Sequence, residues 1–205
     1  MRYKQAIEHV FGSGTETSAA PDTEPITRAQ AKAWLKIDST ADDDLIDDLI
    51  EAVRSDVESM IGIALYTQTC KDYFDEWPKA HSLVNKYAAI SLLRYPVQSV
   101  TSITYVDDDG NTQTLDASKY IVDTSGPITR IAPAAEEEWP DLDDRIKNVT
   151  VEYTAGYTSQ ANIPANLKLA VRLMLTRYYE MRSDPIQERT TAAELIIRRH
   201  YPIIP

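Results

Sequence analysis

A single cysteine, Cys70, removes several kinds of chemistry at once. One thiol cannot close an internal disulfide, and it cannot build a zinc site on several thiolates. No histidine signature or glycine-framed elbow flanks Cys70, so a half-buried strand position is expected of it instead of a nucleophile. Only three histidines occur, His9, His81 and His200, far apart and in no HxxxH or HExxH spacing. Solvated or partner-facing histidines are therefore expected, with no bound metal and no cofactor. GxGxxG, P-loop and GxSxG motifs are all missing. No apolar run approaches the ~18 residues that span a bilayer. The opening MRYKQAIEHVFGSG also lacks the apolar centre of a secretory signal, which gives the expectation of a soluble, unexported chain without membrane contact. Positive charge is scarce too: 21 Lys and Arg stand against 32 Asp and Glu, a formal net charge of −11. That argues against gripping nucleic-acid phosphates over a broad surface. It does not forbid standing beside DNA, because a wall of like charge lets DNA slide past.

What is present is organised around Thr40 to Gly62. Leu45, Ile46, Leu49, Ile50, Val53, Val57, Met60 and Ile61 fall on one stripe of a 3.6-residue helix, so this stretch is a core-facing helix. Thr40 with Asp43 is a weakened capping box, Asp42, Asp43 and Asp44 suit the positive end of the macrodipole, and Gly62 supplies the stop. From Asp38 to Glu58 nine acidic residues face one basic residue, Arg54, a local formal charge of −8. Beyond that face the sequence asks for water, cations or a basic partner.

The 205 residues fit one domain, or one domain with an inserted subdomain. Gly12 to Pro25 has the small, polar composition of a linker, which makes residues 1–25 a flexible arm. Thr27 and Gln30 form a capping box with Ile26 as a staple, so a first helix is predicted over Arg28 to Lys36, with Ala33, Leu35 and Ile37 as its apolar contacts. From Leu65 the period becomes two. Strands are predicted at Leu65–Phe74, Ala88–Arg94, Ser99–Val106, Thr112–Asp116, Tyr120–Asp123, Thr129–Ala132 and Val149–Tyr153. A three-residue loop Asp108-Asp109-Gly110, with Gly110 left-handed, sets Ile103 opposite Leu115 and pairs apolar with apolar. After Gly156 the helical period returns: Pro164 opens a helix that is apolar nearly all round, covered by its own chain or by neighbouring subunits. Pro185 breaks it, Thr191 and Glu194 box a short helix, and the chain closes on RRHYPIIP, an apolar extended tail that wants a groove. The fold class is thus α+β: a helical bundle of residues 26–64 and 157–184 around the long acidic helix, an inserted antiparallel β subdomain at 65–156, and a C-terminal helix and anchor at 185–205.

Two charged features bear on chemistry. Tyr105 to Asp116 (YVDDDGNTQTLD) fits a calcium loop at Asp107, Asp109 and Gly110 but has Tyr105 where the first ligand belongs and the short Asp116 at the last, so a plain hairpin turn is expected. From Lys168 to Arg199 seven basic residues stand against four acidic ones, a local charge of +3. Acidic and basic patches on one protomer favour head-to-tail contact, the kind that closes into rings. The contact residues expected are Arg172, Arg177, Tyr178 and Arg182 on one side, and Asp43, Asp44, Asp47 and Asp48 on the other.

The order ITRAQAKAWLKID, DDDLIDDLIEAVRSDVESMIG, LYTQT, YPVQSVTSITYVDDDG, VTVEYTAGY and IPANLKLAVRLMLTRYYEMR resembles the head-tail connector proteins of long-tailed bacteriophages, also called adaptor or head-completion proteins. The resemblance covers residues 26 to 182. It implies a non-enzymatic virion protein, assembled in the bacterial host cytoplasm, that forms a ring, generally twelve-fold, beneath the portal. Such a ring extends the DNA channel without specific DNA binding and offers a platform to neck, stopper and tail terminator proteins. It also implies that the C-terminal segment reaches the portal, through Leu195, Ile196, Ile197, Tyr201, Ile203 and Ile204. Alternatives are a neck or tail-completion ring that does not touch the portal, a metal-dependent hydrolase using the Asp clusters, and an acidic mimic of DNA.

Overall fold

A computed structural model describes residues 14–80, 86–126 and 128–181, together with residues 192, 193 and 196. Over these the chain is a mixed α and β protein with three α-helices and antiparallel sheets. It divides into two compact units, one containing Gln68–Gly156 and the segment before Pro21, the other containing Pro21–Thr67 and the residues after Gly156. No helix among the described residues is long and apolar enough to cross a membrane.

The second unit carries α1 (Arg28–Leu35), α2 (Asp43–Ile61) and α3 (Ala165–Glu180). At the start of α1 the Thr27 hydroxyl accepts from the Gln30 backbone N–H at 3.2 Å, and the Gln30 side chain accepts from the Thr27 N–H at 3.0 Å, a complete capping box. The contact face of α1 differs from the expected one. Ala31 is its buried residue, while Ala33 is exposed and Leu35 and Ile37 are only half-buried. The chain leaves the helix through a left-handed Lys36 (φ 58), so Ile37 no longer follows the helical stripe.

In α2 the residues Ile46, Ile50, Val53, Val57 and Ile61 are buried at helical spacing, and Gly62 (φ 72) caps the end with its N–H on the Glu58 carbonyl. The start is later than the sequence implies. Asp42 is the cap residue and makes no side-chain cap bond, and Thr40 contributes only its carbonyl, 3.3 Å from the Asp43 N–H. The reason is competition: the Asp43 carboxylate is drawn to Lys32 Nζ at 2.5 Å, so it cannot close a box with Thr40. The acidic face needs a second correction. Arg54 and Glu58 are buried, with Arg54 Nε donating to Glu24 at 2.8 Å and Nη1 donating to Glu58 at 3.2 Å. The other Glu58 oxygen accepts from the Leu65 N–H at 2.7 Å, which ties the end of α2 to the chain that follows it. In α3 the residues Leu167, Ala170, Val171, Met174 and Leu175 are buried, and Pro164 is the cap residue instead of the first helical one.

The β unit holds β1 (Gly14–Ala19), β2 (Gln68–Phe74), β3 (Ile90–Ser91), β4 (Val97–Val106), β5 (Thr112–Thr114), β6 (Tyr120–Asp123), β7 (Arg130–Pro133) and β8 (Val149–Ala155). Five of them form a sheet in the order β1-β2-β8-β4-β5, and three form a sheet in the order β3-β7-β6. At the centre of the larger sheet, β2 and β8 alternate strictly: Gln68, Cys70, Asp72 and Phe74 are buried opposite Ala155, Tyr153, Val151 and Val149. The β4–β5 hairpin has the register the sequence implies. The Leu115 N–H donates to the Ile103 carbonyl at 2.8 Å, and Gly110 is left-handed at φ 81. Asp107 serves that turn, accepting from the Asn111 N–H at 2.8 Å and from Gln113 Nε2 at 2.7 Å.

Strand β1 overturns the reading of residues 14–19 as part of a flexible arm. Gly14 to Thr17 pair with Tyr73 to Cys70, and a bulge precedes the pairing of Ala19 with Thr69. Composition misleads here because the strand is held from outside itself, by the exposed edge of β2 and by a buried side chain. The Thr15 hydroxyl donates to Asp72, a fully buried carboxylate that also accepts from the Leu93 N–H at 2.8 Å and the Tyr153 hydroxyl at 2.9 Å. Burial holds the Asp72 carboxyl above its ordinary range in spite of these donors.

In the smaller sheet Asp123 sits directly across from Arg130. Its carboxylate accepts from the Ser125 hydroxyl and from Arg130 Nη2, each at 2.5 Å, and these bonds lower it to about 2. A depressed carboxylate contributes stability above its unfolded value that is lost as pH falls through the folded one. The Asp123 carboxyl signal should therefore titrate in NMR with a midpoint of about 2. In the Ser125→Ala/Arg130→Ala double variant the midpoint should return toward the ordinary carboxylate value.

Candidate functional site

The residues expected to form a contact surface lie mainly in the helical unit, and the structure sorts them into two groups. Asp43 and Asp47 are spoken for within the chain. Lys32 and Arg28 pair with Asp43, and Arg28 Nε donates to Asp47 at 2.8 Å in a two-point contact. The hydrogen bond to Asp47 raises the Arg28 guanidinium, and the Asp47 carboxyl is lowered by the same bond. Tyr178 is also engaged internally: its hydroxyl donates to Asp56, and burial followed by that carboxylate pushes it up to about 12. Tyr179 likewise donates to Asp42 at 2.6 Å. These pairs fasten α1 and α3 to α2.

In the second group only the acidic residues are fully exposed. Asp44 and Asp48 are exposed one turn apart on α2, and Glu51 continues their stripe with 70% of its side chain exposed. Arg172 lies on α3 with its guanidinium 5.7 Å from the centre of the Trp34 ring. Arg177 is half-buried, and Arg182 lies outside the described residues. Of the expected portal anchor, Ile196 is helical and partly exposed, whereas Leu195, Ile197, Tyr201, Ile203 and Ile204 lie outside the described residues, as do the three histidines.

Sequence reasoning passed over Trp34. The signal was available, since Ala31 and Leu35 are four residues apart and define the inward stripe, which leaves Trp34 at its margin. The β unit holds another aromatic feature. Trp77 and Trp139 stack with centroids 4.5 Å apart beside a groove of about 680 Å³, and their indole N–H groups donate to the carbonyls of Pro140 and Ala88. Both rings are thereby fixed as parts of the groove wall. Among the described residues no three His, Cys, Asp or Glu side chains converge as metal ligands.

The two units thus present charge and apolar area to their surroundings, the profile of a protein that works by contact. Residues 24–197 match the family described as HCP, head completion protein, and the chain belongs to that family. It is accordingly a structural protein of a bacteriophage or phage-like particle and not an enzyme. No curated protein matches the chain at a significant level. Among solved structures it shares its fold with a chain from the neck of an empty gene transfer agent particle computed with C6 symmetry. That likeness has a TM-score of 0.75 at 19% identity and covers 93% of this chain and 96% of that one. A chain from the virion of the native gene transfer agent particle gives a TM-score of 0.73 at 20% identity, over 92% of this chain and 95% of that one. A chain from the native neck computed with C12 symmetry gives 0.65 at 20% identity, over 90% and 95%.

Proposed function

We propose that this head completion protein is a head-tail connector, or adaptor. In this reading it forms a ring, twelve-fold in the virion, beneath the portal at the head-tail junction. The observation that carries the reading is the shared fold, over nearly the whole length of both chains, with proteins of particle necks computed with C6 and C12 symmetry. The ring extends the DNA channel and gives neck and tail proteins their attachment platform. A net charge of −11 suits a passage that DNA traverses without being held. The three helices act as a bundle around the acidic α2 and form the structural body of each protomer. The segment Leu195–Ile204 is the anchor on the portal: Tyr201 precedes Pro202, and Ile203 and Ile204 lie between Pro202 and Pro205, a short apolar run whose prolines disfavour a helix and suit an extended groove contact.

Negative-stain imaging of the purified chain mixed with its portal tests this. The expected result is a ring seated on one end of the portal. A chain cut after Arg199 should keep its fold by circular dichroism and lose that seat. Binding of the full chain to a tail terminator but not to the portal would overturn the adaptor reading in favour of a ring lower in the neck.

A further inference from the structure

Trp34 is 40% exposed, yet it is not loose. Its indole N–H donates to the Thr176 hydroxyl at 2.9 Å, and that hydroxyl donates in turn to the Arg172 carbonyl at 3.0 Å. The Arg172 guanidinium lies against the Trp34 ring, and its buried Nε has no hydrogen-bond acceptor among the described residues. Leu169, one turn before Arg172 on α3, is 38% exposed. A held aromatic ring, an exposed leucine and a half-buried arginine form a compact knob. Tryptophan and arginine are the residues that most often carry interface energy, and an anchor fixed in advance loses little entropy on docking.

The same unit carries a surface of complementary chemistry. On α2 the exposed residues Asp44, Asp48 and Glu51 line up beside Ala52, Ser55 and Ser59, also exposed. At 100° per residue all six fall within one face of the helix. Neither Asp44 nor Asp48 is paired in the way Asp43 and Asp47 are, and Glu51 only approaches Arg54, at 3.7 Å. Ala52, Ser55 and Ser59 put little side-chain bulk on this face.

We infer that the Trp34–Leu169–Arg172 knob of one copy docks onto the Asp44–Asp48–Glu51 strip of α2 in a second copy. The guanidinium meets the carboxylates, and the indole lies over Ala52 and Ser55. Knob and strip are different surfaces of the same unit, so where no two-fold axis forms both pairs at once the contact is heterologous and propagates from copy to copy until a rotation closes it, as the ring reading requires. The inference rests on the ring reading above and assigns it a contact. It also changes the residues expected from sequence, since Asp43, Asp47 and Tyr178 hold the protomer together while Trp34, Leu169 and Arg172 reach outward.

Sedimentation velocity on the full chain, with and without portal rings, tests the contact. Arg172→Glu and Asp48→Arg should each weaken self-association about tenfold or more. Trp34→Ala should do the same without altering net charge, and the Arg172→Glu/Asp48→Arg double variant should recover much of the loss. Circular dichroism and melting establish that each variant is folded. A second measurement needs no destabilising change: chains carrying Leu169→Cys mixed with chains carrying Ser55→Cys should form mixed disulfide dimers on mild oxidation. Rings that form as well in both charge-reversal variants as in the wild type, or the absence of mixed dimers in assembled samples, overturn this contact and leave the ring reading standing. A wild-type chain that stays monomeric with and without portal rings overturns the ring reading itself.

Discussion

Replacing Arg54 with alanine should lower the unfolding free energy by about 3–5 kcal/mol, the cost of stranding a buried charge. The effect comes less from the lost attraction than from what remains. Arg54 is 7% exposed and Glu58 is 5% exposed, and the two neutralise one another inside the helical unit. Without the guanidinium, Glu58 loses its charged partner while its bond to the Leu65 N–H stays, and Glu24 loses the same guanidinium. Arg54→Met together with Glu58→Gln removes both charges and should cost much less than Arg54→Ala alone, because no uncompensated ion is left in the interior. Urea unfolding of the two variants provides the comparison. A loss for Arg54→Ala no larger than for an exposed helix position would show that the pair is wet and unimportant.

The second large effect is expected at Asp72. Alanine there leaves the Thr15 hydroxyl, the Leu93 N–H and the Tyr153 hydroxyl without their shared acceptor, at about 1–3 kcal/mol for each donor that finds no substitute. Relief from burying a carboxylate offsets part of this, so a net loss of about 2–4 kcal/mol is expected. The local consequence is more specific than the global one. Thr15 supplies one of the side-chain bonds by which β1 reaches buried residues of β2, so hydrogen exchange in Gly14–Ala19 should accelerate far more than in β8. Asp72→Asn separates charge from hydrogen bonding. A carboxyl raised by burial binds its proton more tightly folded than unfolded, so wild-type stability should fall relative to Asp72→Asn as pH rises from the ordinary carboxylate value through the raised one.

What could be read from the chain was whatever rests on local periodicity and local backbone chemistry. Thr27 with Gln30, Gly62, and the Gly110 loop each act within a few residues of themselves, and each stands as its sequence implies. The features that were not legible depend on distant partners. Gly14–Ala19 has the composition of a linker and becomes a strand because β2, more than fifty positions away, offers an edge and a buried carboxylate. Asp43 is a good capping residue on paper, but Lys32 lies in another helix and takes it. The contact surface divides along the same line. A count of charges finds acid on α2 and base on α3, but only coordinates reveal that Asp47 is satisfied by Arg28 while Asp48 is not, and that Thr176 holds Trp34 in place.

The order of strands in the larger sheet has a consequence for how copies come into being. The middle position belongs to β8, the last of its strands to be translated, flanked by β2 and β4, which leave the ribosome much earlier. Until residue 155 emerges, β2 and β4 have no common neighbour, and α3, which completes the helical unit, follows later still. Such late, long-range closure slows folding and exposes unfinished edges meanwhile. A nascent chain that stops before residue 180 therefore never displays a finished α3 surface.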